Sequence, residues 1–367
     1  MSIRENKHFT NLYYMNLALK QAHINIGNTK ENPSVGCVIV KDGSLISVGH
    51  TSHNGRPHAE SNAIKFSKKN LSGATMYVTM EPCSHYGKTP PCTKSIINKK
   101  IGKVYFSIKD PDIRSFNKST KKFKEKNVLV NKGLLNNKVN LFYKSYIKNK
   151  IKNLPFVTCK LAVSKDFFTI NKKNRWITNE HSRKRVHLMR SLHDCILTSS
   201  STVISDNPRL TCRINGLNYK SPSRIVLDNN LKIKTASKIC KDAKTYQTII
   251  FYNKINKKKI SLLKKLNIRT FQIPLDKNKN LDLHECLKKV KQLGFTRIFL
   301  ESGIKLVTNF LKMNLIDDFN LFISNKKIKI NGSGNFKNSF MKYLNKKNKR
   351  VEKINLFGEK LVSYNLK

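Results

Sequence analysis

An α/β protein of two domains is what the sequence predicts, and three observations carry that expectation. The chain has 367 residues, more than one hydrophobic core commonly organises, since domains cluster near roughly 100–150 residues. Short apolar runs of strand type alternate with helix-type segments along most of the length, the pattern of sheets covered by helices. A content of 39% hydrophobic and 9% aromatic residues supplies enough apolar surface for packed cores, so a wholly disordered chain is excluded despite a mean hydropathy of -0.47.

The elements follow in order. Residues 34–40 and 44–48 read as two strands joined by the Asp42-Gly43 turn, a hairpin signal. Pro57 precedes a helix that begins at His58, where a missing N–H does no harm. Residues 74–80 form a buried strand, a second helix follows Cys92, and strands at 102–108 and 128–130 complete the first half. The Lys- and Asn-rich stretch 148–153, ending at Pro155, marks the boundary between domains expected at 1–149 and 150–367. Beyond it, strands are expected at 156–161, 195–197, 224–228, 248–252 and 297–300, with helices over 179–193, 257–266 and 282–293. The tail offers a hairpin candidate at 355–362, and Gly332-Ser333-Gly334 reads as a turn.

The formal net charge is +50, from 72 Lys+Arg against 22 Asp+Glu, a balance that ordinarily points to nucleic acid. Here lysine is spread along the whole chain and mixed with Asn and Ile, as in residues 254–260 and 345–349. That distribution reads as a solvated surface of compositional origin rather than a nucleic-acid groove. It would still attract anionic small molecules. No run of 18 apolar residues occurs, and residues 1–8 lack the apolar stretch of a secretory signal, so no membrane span and a cytoplasmic location are expected. Eight cysteines in so long a chain suit thiols or metal ligation better than a disulfide scaffold.

The sharpest chemistry lies between His58 and Cys92. His58-Ala59-Glu60 stands at a helix start, and Pro82-Cys83 and Cys92 follow a strand later. One imidazole and two thiolates make three ligands for zinc and leave a fourth tetrahedral position open, the catalytic arrangement. A carboxylate such as Glu60 that does not ligate the metal can then move protons between water and a leaving amine. His-x-Glu followed by Pro-Cys is the signature of zinc deaminases. The remaining cysteines read as buried thiols.

Eight residues separate the two cysteines in Cys83-Ser84-His85-Tyr86-Gly87-Lys88-Thr89-Pro90-Pro91-Cys92, where most zinc deaminases have two. With Asn32-Pro33-Ser34-Val35-Gly36-Cys37 and Lys109-Asp110-Pro111, this insert resembles the bifunctional family of riboflavin biosynthesis. That family joins a diaminohydroxyphosphoribosylaminopyrimidine deaminase to a 5-amino-6-(5-phosphoribosylamino)uracil reductase. The resemblance implies an N-terminal cytidine-deaminase-like α/β/α sandwich in which His58, Cys83 and Cys92 hold zinc and Glu60 shuttles protons. Asn32, His85 and Lys88 would face the substrate, a phosphorylated pyrimidine, with Lys88 suited to its phosphate.

The second half has no Gly-x-Gly-x-x-Gly fingerprint, and resemblance carries its reading. Residues 198–213, with Ser200-Ser201-Thr202-Val203, Asp206-Asn207-Pro208 and Leu210-Thr211-Cys212-Arg213, are similar to the reductase segment of the same family. Trp176-Ile177-Thr178, Arg190 and Leu300-Glu301-Ser302-Gly303 fall where its other motifs do. The implied fold is dihydrofolate-reductase-like, with NADPH as hydride donor and a ribosyl group reduced to ribityl. Ala162, Trp176, Thr202, Asp206 and Gly303 would meet NADPH. Asn174, Arg190, Leu210, Arg213 and Glu301 would meet the substrate, the arginines gripping its phosphate bidentately. A homo-oligomer is expected.

Several positions depart from the family pattern. Asp166-Phe167-Phe168 stands where the family has Asp-Gly-Lys/Arg, the segment before Trp176 is shortened to Lys173-Asn174-Arg175, and Ser324-Asn325-Lys326 lacks a proline. In the first half, Asp112-Ile113-Arg114-Ser115-Phe116-Asn117 replaces a glycine-bearing loop. Two rival readings stay open on the sequence alone. One is an RNA-editing deaminase with a basic RNA-binding domain. The other is a deaminase whose C-terminal half is a catalytically inactive scaffold, an idea that Phe167 motivates.

Overall fold

The computed structural model describes residues 3–344 and 347–367. It divides into two units, one ending at Asn153 and the other beginning at Leu154. The first contains α1 (Ile3–His23), β1 (Gly36–Lys41), β2 (Ser44–His50), α2 (Ala59–Phe66), β3 (Thr75–Met80), α3 (Cys92–Asn98), β4 (Lys103–Ile108), α4 (Lys118–Lys124), β5 (Leu129–Lys132) and α5 (Asn136–Lys152). The strands order as β2-β1-β3-β4-β5. The β1–β2 hairpin turns through Asp42 and Gly43, both at positive φ, which matches the twist of the flanking strands. The strands β3, β4 and β5 run parallel.

Alternation along the central strands separates two faces. Val38, Val40 and Tyr77 pack against Tyr14, Met15 and Ala18 of α1, while Cys37, Ile39, Met76 and Val78 pack with Ala59, Ala63 and Ile96 of α2 and α3. Glycine sets the closeness of both layers. A Cβ on Gly36 would lie 1.9 Å from the Ala18 carbonyl oxygen, and one on Gly49 would lie 2.2 Å from that of Ala59, so any other residue would push the helix off the sheet.

The composition of residues 148–153 marked a domain boundary, yet α5 runs through to Lys152, and the expected 149/150 boundary falls inside it. The reason is packing: Val139, Tyr143, Ser145 and Asn149 are buried along this helix, and a periodic buried face outweighs a polar composition.

The second unit contains β6 (Phe156–Val163), β7 (Phe168–Asn171), α6 (Glu180–Arg190), β8 (Cys195–Ser199), α7 (Ser200–Asp206), β9 (Ser223–Leu227), α8 (Lys238–Lys241), β10 (Thr248–Tyr252), α9 (Lys257–Lys265), β11 (Arg269–Gln272), α10 (Leu283–Gln292), β12 (Arg297–Glu301), α11 (Ile304–Lys312), β13 (Asp318–Ile323), β14 (Gly332–Asn335), α12 (Phe336–Leu344), β15 (Asn348–Val351) and β16 (Lys360–Asn365). Nine strands order as β11-β10-β9-β8-β12-β6-β13-β16-β15. They are parallel from β11 to β13 and antiparallel across β13, β16 and β15. Side chains such as Cys159, Leu197, Ile249, Leu300 and Phe319 are buried in its main core, as expected for parallel strands covered on both faces.

Two expectations for the tail are corrected. The stretch 355–362 is not itself a hairpin; it is mostly the loop between β15 and β16, which form one. Gly332-Ser333-Gly334 is not a turn but lies in β14, paired with β7 as a two-stranded ribbon. Glycine is required there because a Cβ at Gly332 would lie 2.3 Å from the Phe168 ring. No helix among the described residues is long and apolar enough to cross a membrane.

Candidate active sites of the two units

The first site forms where β3 ends and two helices begin. His58 precedes α2 in extended backbone, Cys92 is the first residue of α3, and Cys83 lies on the loop from β3. Among the described residues these three are the His, Cys or acidic side chains that converge as a possible metal group, their ligand atoms all within 4.8 Å of one another. Nδ1 of His58 stands 3.6 Å from the Cys83 Sγ and 3.4 Å from the Cys92 Sγ. The Cys92 backbone N–H also donates to the Cys83 Sγ at 3.2 Å. The hydrogen bond from the Cys92 thiol, with help from His58, pulls Cys83 down to about 4, while that same bond and burial push Cys92 up. Two soft sulfurs and one imidazole are a donor set that fits zinc.

Glu60 sits in the first turn of α2, 4% exposed. Burial pushes its carboxyl up to about 7 even though the His58 cation opposes the shift. It is a carboxylate that does not join the converging ligands yet titrates near neutrality, as a proton shuttle requires.

Three further residues were expected to face the substrate. Asn32 is half-buried and donates from Nδ2 to the Gly55 carbonyl at 3.0 Å. His85 is half-buried, with Nδ1 3.0 Å from the Ser115 Oγ. Lys88 is exposed on the loop between the cysteines. Unanticipated residues tie that loop down: Arg56 donates to the Thr89 hydroxyl at 2.5 Å and Lys122 to the Ser84 carbonyl at 2.5 Å. No local spacing in the sequence marks either pair.

The second site is a cavity of about 1480 Å³ in the second unit. Of the residues expected to meet a cofactor, Ala162, Trp176, Thr202, Asp206 and Gly303 all line it. Of those expected to meet substrate, Arg190, Leu210, Arg213 and Glu301 line it, but Asn174 does not. Asn174 is exposed and its backbone N–H donates to Asn171 Oδ1. Asn171, whose side-chain oxygen accepts that bond, lines the cavity instead.

Arg190 was expected to grip a phosphate with its fork, but the fork is already engaged. Its Nε and Nη2 donate to the two Glu301 oxygens at 2.9 Å each, and Nη1 donates to the Thr211 carbonyl at 2.8 Å. Lys160 Nζ stands 3.8 Å from Glu301. Burial works against ionising Glu301, but Arg190 and Lys160 overcome it and hold the carboxyl down at about 2. His187 accepts the Arg213 backbone N–H at Nδ1; burial, Arg190 and Arg213 lower it to about 4, so it is neutral near pH 7. Sequence reading missed both Lys160 and His187, since a lone Lys on a strand and a lone His on a helix carry no motif.

Hydroxyls gather where β8 meets α7 and β12 meets α11. The Ser199 Oγ lies 3.1 Å from the Thr202 Oγ1 and 3.0 Å from the Ser302 Oγ, and the Gly303 N–H donates to Thr202 at 3.3 Å. Trp176 is 55% exposed, with the guanidiniums of Arg175 and Arg183 at 5.0 and 4.7 Å from its ring. Phe167 does not line the cavity. It adopts a left-handed φ of 67°, and its ring stacks on Phe336 at 6.5 Å beside the main core.

Comparison with known proteins follows this division. Residues 9–108 match the cytidine and deoxycytidylate deaminase zinc-binding region, and residues 155–362 match the RibD C-terminal domain. The riboflavin biosynthesis protein RibD of Actinobacillus pleuropneumoniae is 34% identical over 88% of this chain and 85% of its own length. That of Aquifex aeolicus is 34% identical over 85% and 86%. The solved diaminohydroxyphosphoribosylaminopyrimidine deaminase/5-amino-6-(5-phosphoribosylamino)uracil reductase of Thermotoga maritima superposes with a TM-score of 0.85 at 28% identity, over 98% of this chain and 99% of that one.

A zinc-binding deaminase unit followed by a reductase unit defines the class, a bifunctional deaminase and reductase. Identity at this level over most of both chains places the protein in a particular family: it belongs to the RibD family of riboflavin biosynthesis. An RNA-editing deaminase with a basic RNA-binding half is thereby set aside, because that half is a reductase domain.

Proposed function

We propose that the first unit hydrolytically deaminates 2,5-diamino-6-ribosylamino-4(3H)-pyrimidinone 5′-phosphate and that the second reduces the ribosyl group of the product to ribityl with NADPH. The observation that carries this reading is the convergence of His58, Cys83 and Cys92 around a place that Glu60 adjoins without joining the ligand group. His58, Cys83 and Cys92 would hold zinc, which when bound acidifies water and polarises the reacting centre. Glu60, near neutrality in its pKa, takes a proton from water and delivers it to the departing amine, which leaves as ammonia. Asn32 and His85 orient the pyrimidine, and Lys88 meets its phosphate as a point charge.

In the second unit, the cavity of about 1480 Å³ has room for a dinucleotide and a sugar phosphate together. NADPH supplies a hydride. The hydroxyls of Ser199, Thr202 and Ser302 and the Gly303 N–H offer donors to a pyrophosphate, with the N-terminus of α11 adding its positive end. Trp176, more than half exposed on the cavity wall, is available to the cofactor. Arg190 acts by fixing Glu301 rather than by meeting phosphate. Glu301 and Lys160 would then bind the sugar hydroxyls, and the Lys160 ammonium would supply the proton that ring opening demands. Arg213 takes over the phosphate role.

The inactive-scaffold reading loses its motive, because the Phe167 ring turns to Phe336 and away from the cavity. Mass spectrometry of the products from zinc-loaded protein, substrate and NADPH tests the whole proposal. Replacement of an amine by a carbonyl together with two added hydrogens is expected. Accumulation of the deaminated species alone would refute the reductase half, and unchanged substrate would refute the deaminase half.

A further inference from the structure

Ser115 lies in the loop that departs from the family pattern, and it is wholly buried. No motif assigns this loop a role. Its turn is closed by the Ser115 and Phe116 N–H groups, which donate to the Asp112 carbonyl at 2.8 and 2.9 Å. The buried carboxylate of Glu81 clamps the same loop, accepting from the N–H groups of Asp110, Asn117 and Ser119 at 3.4, 3.2 and 3.3 Å and from the Ser119 hydroxyl at 2.7 Å. Glu81 immediately precedes Pro82-Cys83. One strand end thus presents a metal-group cysteine and fixes the loop that carries Ser115.

The consequence falls on His85. Its Nδ1 meets the Ser115 Oγ at 3.0 Å, which leaves Nε2 as the ring nitrogen for a ligand. A ring flipped by half a turn would set a carbon against a buried hydroxyl, and a buried hydroxyl without a partner is strongly disfavoured. An imidazole on an open loop would otherwise sample both orientations. We propose that Ser115 is a positioning residue of the deaminase, holding the His85 ring so that Nε2 is offered to the phosphorylated pyrimidine. This rests on the reading above that His85 faces the substrate.

A double-mutant cycle on the full-length, zinc-loaded protein tests it. In Ser115→Ala, KM for the diaminopyrimidine phosphate should rise about tenfold, the scale of one hydrogen bond. Deaminase kcat should change less than about threefold, and zinc content and reductase activity should stay at wild-type levels. In a His85→Ala background the same substitution should add less than about twofold, because its only route to the substrate is gone. An equal loss from Ser115→Ala in both backgrounds would overturn the proposal and make the residue one of packing alone. Loss of zinc from Ser115→Ala would overturn it too. If His85→Ala itself left kcat/KM intact, the substrate-facing reading of His85 would be the part that failed.

Discussion

Phe167→Gly restores the residue that the family pattern has in the turn between β6 and β7, and its effect can be worked from the structure. At a φ of 67° an L residue bears about 1–2 kcal/mol of backbone strain, which glycine relieves. Glycine returns about 0.5–1 kcal/mol of this through the freedom it gains in the unfolded chain. The ring is half-buried against the main core, so its removal forfeits roughly half of the about 1.5–3 kcal/mol for a buried Phe. Its stack on Phe336 adds about 0.5–1.5 kcal/mol. The net is a destabilisation of about 1–2 kcal/mol, or a fall of about 2–8 °C in the melting of the second unit by calorimetry. Reductase kcat/KM, measured with the deaminated substrate and NADPH, should stay within about twofold because the ring is outside the cavity wall. A tenfold gain in kcat/KM with tighter NADPH binding would refute the reasoning, since it would mean that Phe167 obstructs the cofactor.

Three further outcomes are expected. Glu60→Gln should cut deaminase kcat by about 10²–10⁴ with zinc content and reductase activity unchanged; a variant that lost zinc would instead make Glu60 a ligand. Cys83→Ser should lose zinc, read by metal analysis, and reduce deamination to background, while the reductase persists on its separate core. Glu301 is held at about 2 against an ordinary value near 4.5. Its ionised form therefore stabilises the second unit fully above about pH 4.5, a contribution lost as pH falls from there towards 2 and worth roughly 3 kcal/mol. Melting curves of wild type and Glu301→Gln should accordingly lie furthest apart near pH 7 and converge only as the pH falls to about 2. A constant gap across that range would contradict the ion-pair account.

Motif-bearing residues were the legible part of both sites. His58, Glu60, Cys83 and Cys92 stand together because catalytic ligation needs particular atoms at helix starts and strand ends, and such positions leave short, ordered signatures. The strands of both sheets were legible for a similar reason, as apolar runs at β1, β3, β8, β10 and β12 are dense and bounded by turns. The long first helix was not read from the sequence. Its buried face, Met15, Ala18, Leu19 and Ala22, is rich in small residues, and its other face carries aromatics such as Phe9 and Tyr13 that are exposed. Periodicity is blunted when large residues face solvent and small ones face the sheet. Arg190 lines the cavity as the motif suggested, but its pairing with Glu301 was not legible, because a sequence shows an arginine and not which carboxylate reaches it first.

The acidic residues explain how so basic a chain keeps its shape. Only 22 stand against 72 Lys and Arg, and several of them are committed to backbone N–H groups far away in sequence. Asp166 accepts from Ile328 and Lys329, Glu359 from Asn179, Asp194 from Thr296 and Arg297, and Asp317 from Val157. Glu81 does the same for the loop behind the first site, and Glu301 holds Arg190 and Lys160 in the second. A carboxylate that receives two or three N–H donors replaces hydration that burial removes, so its loss leaves several donors unpaired at once. An exposed lysine, by contrast, exchanges for another polar residue at little cost. The few carboxylates that each tie two distant segments together are therefore the costly residues to replace in this chain, and the surface lysines the cheap ones.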